Sequence, residues 1–207
     1  MMKNNETIFI IDDDKSVRRS LSLFLQSVGY QVETYESAEG FLEREKFEGT
    51  GCIILDVNMS GKSGLELQEE LIKSGSELPI VFVTGKGNIQ MSVNAIKKGA
   101  VNFLEKPFKE EDILNSVSES VILSRNLVMQ KTEQKTAQNL INMLTPRELE
   151  VVKYLPTGLL NKQIAAELNI AEQTVKIHRR NICDKLGAKS VPEIIRITEK
   201  AGVKMLE

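Results

Sequence analysis

Four apolar runs in this chain each lead directly into a residue able to do chemistry. Ile8-Phe9-Ile10-Ile11 is followed by Asp12 and Asp13, and Cys52-Ile53-Ile54-Leu55 by Asp56. Ile80-Val81-Phe82-Val83 is followed by Thr84, and Phe103-Leu104-Glu105 by Lys106-Pro107. Runs of this length and composition read as buried parallel strands. In an open α/β sheet, ligands sit at the carboxyl ends of the strands. Three carboxylates, a hydroxyl and an ammonium are therefore expected at one site. Clustered carboxylates repel unless a cation joins them. A hard, oxygen-liganding ion answers that need, and Mg²⁺ suits a site of a few carboxylates, a carbonyl and water. With Asp56 as nucleophile and Lys106 and Thr84 beside it, the set has the parts that phosphoryl transfer requires. Each residue alone has an ordinary role: a helix-capping Asp, a surface Lys, a strand-end Thr. Their shared placement at strand ends points to function.

The elements that must position them alternate strand and helix from residue 7 to 122. A helix with Val17, Leu21, Phe24, Leu25 and Val28 on one stripe stops at Gly29. Gln31–Tyr35 alternates as a short strand, and Phe41-Leu42 mark a second helix. Further helices are expected over 65–73, 89–98 and from about Glu110. Five βα units predict a doubly wound parallel sheet of flavodoxin-like form. The last helix has no stop near residue 122, and residues 125–139 contain neither Gly nor Pro, so one long helix is predicted to become the linker.

Charge divides the chain. Residues 1–122 carry a net −7, residues 123–145 +2 and residues 146–207 +3, within a total of −2. An acidic front and a basic back imply two domains with different partners. The boundaries expected are 1–122, a helical linker over 123–142, and 143–207. Thr145-Pro146-Arg147-Glu148 opens the second domain with a capping box and Pro at the first helical position. Helices over Asn161–Leu168 and Ala171–Leu186, joined by Asn169-Ile170, read as a helix-turn-helix within a four-helix, all-α domain. On the second of these, Val175, Ile182 and Leu186 fall on one face. Gln173, Ile177, Arg180 and Asp184 fall opposite, with Lys176 at the flank, a pattern suited to the major groove of DNA.

Composition excludes several classes. No apolar run approaches the ~20 residues that span a membrane, and the N-terminal residues have no signal-peptide pattern. Cys52 and Cys183 are far apart and read as reduced thiols, as in a cytoplasmic protein. His178 is the single histidine and lies in the helix expected to read DNA, so the chain is no self-contained histidine kinase.

Residues 7–122 resemble a response-regulator receiver domain, through the Asp12-Asp13 pair, Asp56-Val57-Asn58-Met59, Thr84 and Lys106-Pro107. Residues 143–203 resemble the LuxR-type helix-turn-helix domain. The residues that carry this second likeness are Leu144–Glu148, Gly158, Asn161–Ala165, Thr174–His178 and Lys185-Leu186-Gly187. The combination resembles regulators of the FixJ/NarL type. The resemblance implies that Asp56 accepts a phosphoryl group from a sensor histidine kinase. It implies that Asp13, Asp56 and the Asn58 carbonyl hold Mg²⁺ directly, with Asp12 acting through water. Thr84 and Lys106 would bind phosphoryl oxygens, Phe103 would be the switch aromatic, and the Lys106–Pro107 bond would be cis. The phosphorylated protein would bind promoter DNA as a homodimer, with RNA polymerase as a further partner and no membrane association. It would be no enzyme beyond its own phosphorylation and dephosphorylation. Lys176, Ile177 and Arg180 would face bases, with Gln173 on the same helix, and Lys162, Thr174 and Lys189 would lie near phosphates.

Two departures from the family pattern stand out. Ser60 replaces the usual Pro, which predicts a looser loop. Ala171 replaces a Ser or Thr, which predicts a helix cap weaker by about 1 kcal/mol. Two other readings compete. A magnesium phosphatase built on a strand-end Asp would need a second Asp two residues later, where Asn58 stands. A DNA-binding regulator independent of phosphorylation would not need the full acidic site.

Overall fold

The computed structural model describes residues 6–85, 87 and 89–206. Strands β1 (Glu6–Ile11), β2 (Gln31–Tyr35), β3 (Thr50–Asp56), β4 (Ile80–Thr84) and β5 (Asn102–Glu105) form one parallel sheet in the order β2-β1-β3-β4-β5. The period-2 alternation of strand side chains divides the apolar runs between two cores. Phe9, Ile11, Ile53, Leu55 and Phe82 face one side, where they meet α2 (Ala38–Leu42), α3 (Gly64–Lys73) and α4 (Ile89–Lys97). Ile8, Ile10, Cys52, Ile54, Val81 and Val83 face the other, against α1 (Lys15–Ser27) and α5 (Glu110–Ile141). Both faces are covered, so β1, β3 and β4 are buried along almost their whole length. Each large aliphatic or aromatic side chain sealed here contributes roughly 1.5–3 kcal/mol.

The order of strand addition reverses between β1 and β3, with all strands parallel, and that switch point places Asp12 and Asp13 beside Asp56. The return from β3 is tight. Gly64 donates its amide to the Val57 carbonyl at 3.0 Å, and a Cβ there would lie 2.2 Å from the Asp56 carbonyl oxygen, so only glycine fits. Ser63 and Glu66 then cap α3 reciprocally.

The predicted long helix is observed: α5 runs unbroken from Glu110 to Ile141. The chain divides into two compact units between Val128 and Met129. The expected linker does not stand apart, because Ala137 and Ile141 are buried in the second unit's core.

That second unit contains α6 (Pro146–Tyr154), a 3-10 turn (Leu155–Thr157), α7 (Asn161–Glu167), α8 (Glu172–Leu186) and α9 (Val191–Lys200). Thr145 and Glu148 form the predicted capping box. α6 gives way to the 3-10 turn, which Gly158 ends with φ 72°. Pro156 has no amide to continue the α-helical ladder, so the helix stops earlier. Asn169 adopts φ 51° in the turn between α7 and α8, a conformation Asn tolerates better than most residues. Val151, Ile164, Val175, Ile182 and Ile194 bind the four helices into one core. Cys52 is fully buried in β3, and Cys183 is half-buried in α8.

Candidate functional site

Asp12 follows the last residue of β1, and its side chain is 1% exposed. Its two carboxylate oxygens are separately engaged. Oδ1 accepts from the Asp14 amide at 2.9 Å, and Oδ2 accepts from Lys106 Nζ at 2.6 Å. Asp56 closes β3, also buried, with Oδ1 3.4 Å from Lys106 Nζ. That approach is an ion pair without hydrogen-bond geometry, so Oδ1 is a buried acceptor with no hydrogen bond of its own. Asp13 is exposed and accepts from the Ser60 amide at 2.9 Å. One oxygen from each of Asp12, Asp13 and Asp56 falls within a common 4.8 Å. Lys106 reaches this cluster from the end of β5, just before a cis peptide bond to Pro107.

Burial pushes the Asp56 carboxyl above the ordinary aspartate range. Lys106 opposes that shift, while Asp12 and Asp13 add to it. The lone lysine therefore does not neutralise the cluster. A divalent cation with oxygen ligands would. Three carboxylates at this spacing, one with a buried unbonded oxygen, are a fitting donor set for Mg²⁺.

Thr84 ends β4, wholly buried, and its hydroxyl oxygen accepts from the Asn58 side-chain amide at 2.9 Å. The sequence pointed to Asn58 only for its backbone carbonyl. Phe103 lies in β5, half-buried, with its ring centroid 6.0 Å from that of Phe82. Gly87 lies over Thr84 and Phe103: a Cβ there would fall 2.9 Å from Thr84 Cγ2 and 3.0 Å from the Phe103 ring.

Some contributors were not anticipated from sequence. Arg18 donates to the Asp12 carbonyl at 2.6 Å and so fixes the turn that aims the acidic pair. Ser60, expected to loosen its loop, holds it instead. Its amide binds Asp13, a bond that Pro could not make. Asp14 caps α1 through the amides of Ser16 and Val17.

In the second unit, α8 presents the predicted two faces. Val175, Ile182 and Leu186 are buried, while Gln173, Lys176, Ile177 and Arg180 are exposed. Ile177 keeps 51% of its surface in solvent. Thr174 is half-buried near the helix start, and Lys162 and Lys189 are exposed at the first turn of α7 and before α9. Ala171 provides no side-chain cap to α8. Lys176 is paired with Glu172 at 3.0 Å and Arg180 with Asp184 at 3.9 Å; both pairs are exposed and weak. Arg179, overlooked in the sequence, donates to Asn161 Oδ1 at 3.0 Å and ties α8 to the start of α7. Lys185 reaches back to the nearly buried Glu148 at 2.6 Å, joining α8 to the cap of α6.

Residues 8–118 match the response regulator receiver domain, and residues 142–198 match the luxR family of bacterial regulatory proteins. Nodulation protein W of Bradyrhizobium diazoefficiens is 42% identical over 199 residues, covering 95% of this chain and 86% of its own length. The transcriptional regulatory protein FixJ of Azorhizobium caulinodans is 39% identical, covering 98% of this chain and 96% of its own. Among solved structures, the response regulator StyR superposes with a TM-score of 0.86 at 44% identity, covering 94% of this chain and 98% of StyR.

Proposed function

Because this chain belongs to the transcriptional response regulators that join a receiver domain to a LuxR-type DNA-binding domain, we propose that Asp56 is its phosphoryl acceptor and that phosphorylation there controls DNA binding. The observation that carries this reading is Lys106 Nζ, 2.6 Å from Asp12 and 3.4 Å from Asp56, beside the third carboxylate of Asp13. Residues 1–122 act as the receiver and 143–207 as the DNA-binding domain. The part of α5 beyond residue 122 connects them.

The family implies a sensor kinase as donor. In the transfer, an Asp56 carboxylate oxygen attacks phosphorus, and the P–N bond to the donor histidine breaks as the P–O bond forms. The histidine leaves with a proton from solvent. Asp13, Asp56 and the Asn58 carbonyl would hold Mg²⁺, with Asp12 behind them, and the bound ion would neutralise charge on the phosphoryl oxygens. Lys106, already beside Asp56, turns from Asp12 toward a phosphoryl oxygen. Thr84 exchanges the Asn58 amide for another, and Phe103 moves inward with it. Water later cleaves the acyl phosphate, so the chain turns over only its own modification. The competing phosphatase reading is disfavoured because Asn58 offers no carboxylate where that chemistry needs an acid.

Exposed Ile89, Val93 and Ile96 on α4, the last two lining a cleft with Phe103, support a homodimer formed on phosphorylation. Pairing two DNA-binding domains raises affinity through effective concentration. Lys176, Ile177 and Arg180 then face bases, with Gln173 beside them, while Lys162, Thr174 and Lys189 lie along phosphates. RNA polymerase is the further partner in transcription, and the setting is the cytoplasm. Among the described residues no helix is long and apolar enough to cross a membrane.

Labelling with acetyl phosphate tests the central claim. Base-labile phosphate should appear on the wild-type protein only with Mg²⁺ present and should vanish in Asp56→Asn. Undiminished labelling of Asp56→Asn would overturn the assignment. Sedimentation with and without a beryllofluoride phosphoryl mimic tests the dimer; identical monomer populations would remove that step.

A further inference from the structure

The sheet of the first unit is apolar almost throughout, yet polar groups recur where β5 and β3 meet α5. Asn102 opens β5, although Asn is a poor strand former. Ser116, Ser120 and Ser124 lie on the buried face of α5, at 1%, 0% and 3% exposure, although Ser is a weaker helix former than Ala. Apolar residues at these positions would pack a strand–helix interface more firmly. The departure from the local pattern marks a role beyond packing.

The hydrogen bonds show what that role can be. The Phe103 amide donates to Asn102 Oδ1 at 2.8 Å, and Asn102 Nδ2 donates to Ser116 Oγ at 2.9 Å. Ser116 Oγ in turn donates to the Asp112 carbonyl at 2.8 Å in the first turns of α5. The acceptor and donor of Asn102 sit on one rigid planar amide, so a shift at one end must move or break the contact at the other. Farther along α5, two contacts hold it to different strands. Ser124 Oγ accepts from the Gly51 amide at 3.0 Å, and Arg125 pairs with Glu6 of β1. The helix is therefore fastened to β1 and β3 near residues 124–125 and to β5 near residue 116.

We propose that Asn102 is a coupling residue: displacement of Phe103 is passed to α5 through the Asn102–Ser116 hydrogen bond, while Ser124 and Arg125 act as the fixed end of the lever. Asn102 positions rather than reacts: its hydrogen bonds go to the Phe103 amide and to Ser116. The proposal rests on the reading of Asp56 as phosphoryl acceptor, and its test separates the two.

Hydrogen exchange of the full-length chain is measured with and without beryllofluoride and Mg²⁺. The wild type is compared with Asn102→Ala, Ser116→Ala and Asp56→Asn. Ser116→Ala keeps the Asn102–Phe103 bond and improves helix propensity, so it guards against simple unfolding of the Asn102 variant. In the wild type, exchange in both β5 and residues 112–124 should change by at least about fivefold, the lower end of ordinary coupling between sites. In Asn102→Ala and Ser116→Ala the β5 change should persist and the α5 change should disappear. An α5 response retained in Ser116→Ala, or absent from the wild type while β5 responds, overturns the relay. A wild type that responds nowhere, like Asp56→Asn, sinks the phosphoryl-acceptor reading itself and the relay with it.

Discussion

Replacing Lys106 with Met, similar in length and uncharged, isolates the electrostatics of the acidic site. Lys106 Nζ is 2.6 Å from the fully buried Asp12 and 3.4 Å from Asp56. Removing one member of a buried ion pair costs about 3–5 kcal/mol. Lys106 keeps 22% of its side chain in solvent, and Asp12 retains a backbone amide, so about 2–3 kcal/mol is the better expectation. Much of that loss comes from Asp12 being left charged without its cation. In an Asp12→Asn background Lys106→Met should therefore cost about 2 kcal/mol less, a coupling well beyond the ~0.5 kcal/mol scatter of independent sites. The same substitution should tighten Mg²⁺ binding. A divalent ion and an ammonium about 4 Å apart repel by roughly 2 kcal/mol even at the dielectric of water, and allowing for solvent screening leaves a gain of about tenfold. Urea denaturation followed by circular dichroism gives the stability, which suits a chain without tryptophan. Calorimetric titration gives the metal affinity. Additive stability effects in the double mutant, or a Mg²⁺ affinity that stays the same or falls, would refute the reasoning.

Asp56→Asn should raise the melting temperature of the metal-free protein at neutral pH. Burial lifts the Asp56 carboxyl in the folded state, so this group opposes folding more as pH rises through and beyond the ordinary aspartate range. The variant lacks that part of the slope, and melting curves from acid to neutral pH check it. Burial pushes Glu148 up, but Lys185 and Thr145 outweigh it and hold its carboxyl below the ordinary range. Its contribution is thus complete above that range and lost as pH falls through the lowered value, and Glu148→Ala should cost about 2–4 kcal/mol at neutral pH and much less in acid. Denaturant titrations at the two pH values give the comparison. On selected DNA sites, Arg180→Ala should lose about 1–3 kcal/mol of discrimination at one base pair. Lys162→Ala should weaken all sequences alike and reduce the salt slope by about one contact. Salt-titrated binding to matched and mismatched duplexes separates them, and equal effects on every sequence would displace the recognition face from α8.

The sheet was legible because β1, β3 and β4 are buried on both faces, which leaves uninterrupted apolar runs with their reactive residues at one end. The acidic cluster followed from that topology alone. Strand limits moved by a few residues where no side-chain pattern marks them: β3 begins at Thr50, before the apolar run, because Thr50 and Gly51 continue the ladder with β1. Bonds such as Ser60 to Asp13, Arg18 to the Asp12 carbonyl and Arg179 to Asn161 left no trace in the sequence. They depend on the path of a loop or on helix packing, and no local spacing encodes either. The Ser60 substitution was misjudged for that reason: its missing ring was visible, but the use of its amide was not.

The two cysteines give the chain a built-in pair of clocks. Cys52 is sealed in the sheet, where burial also raises its thiol pKa and suppresses the reactive thiolate. Cys183 is half-buried in the other compact unit. A disulfide reagent added to native protein must wait for the sheet to open before it reaches the first thiol. The second thiol reports on the helical unit alone. Two modification half-lives, separated by mass, would thus give two local opening free energies from one unlabelled sample, and would show which half of the molecule yields first.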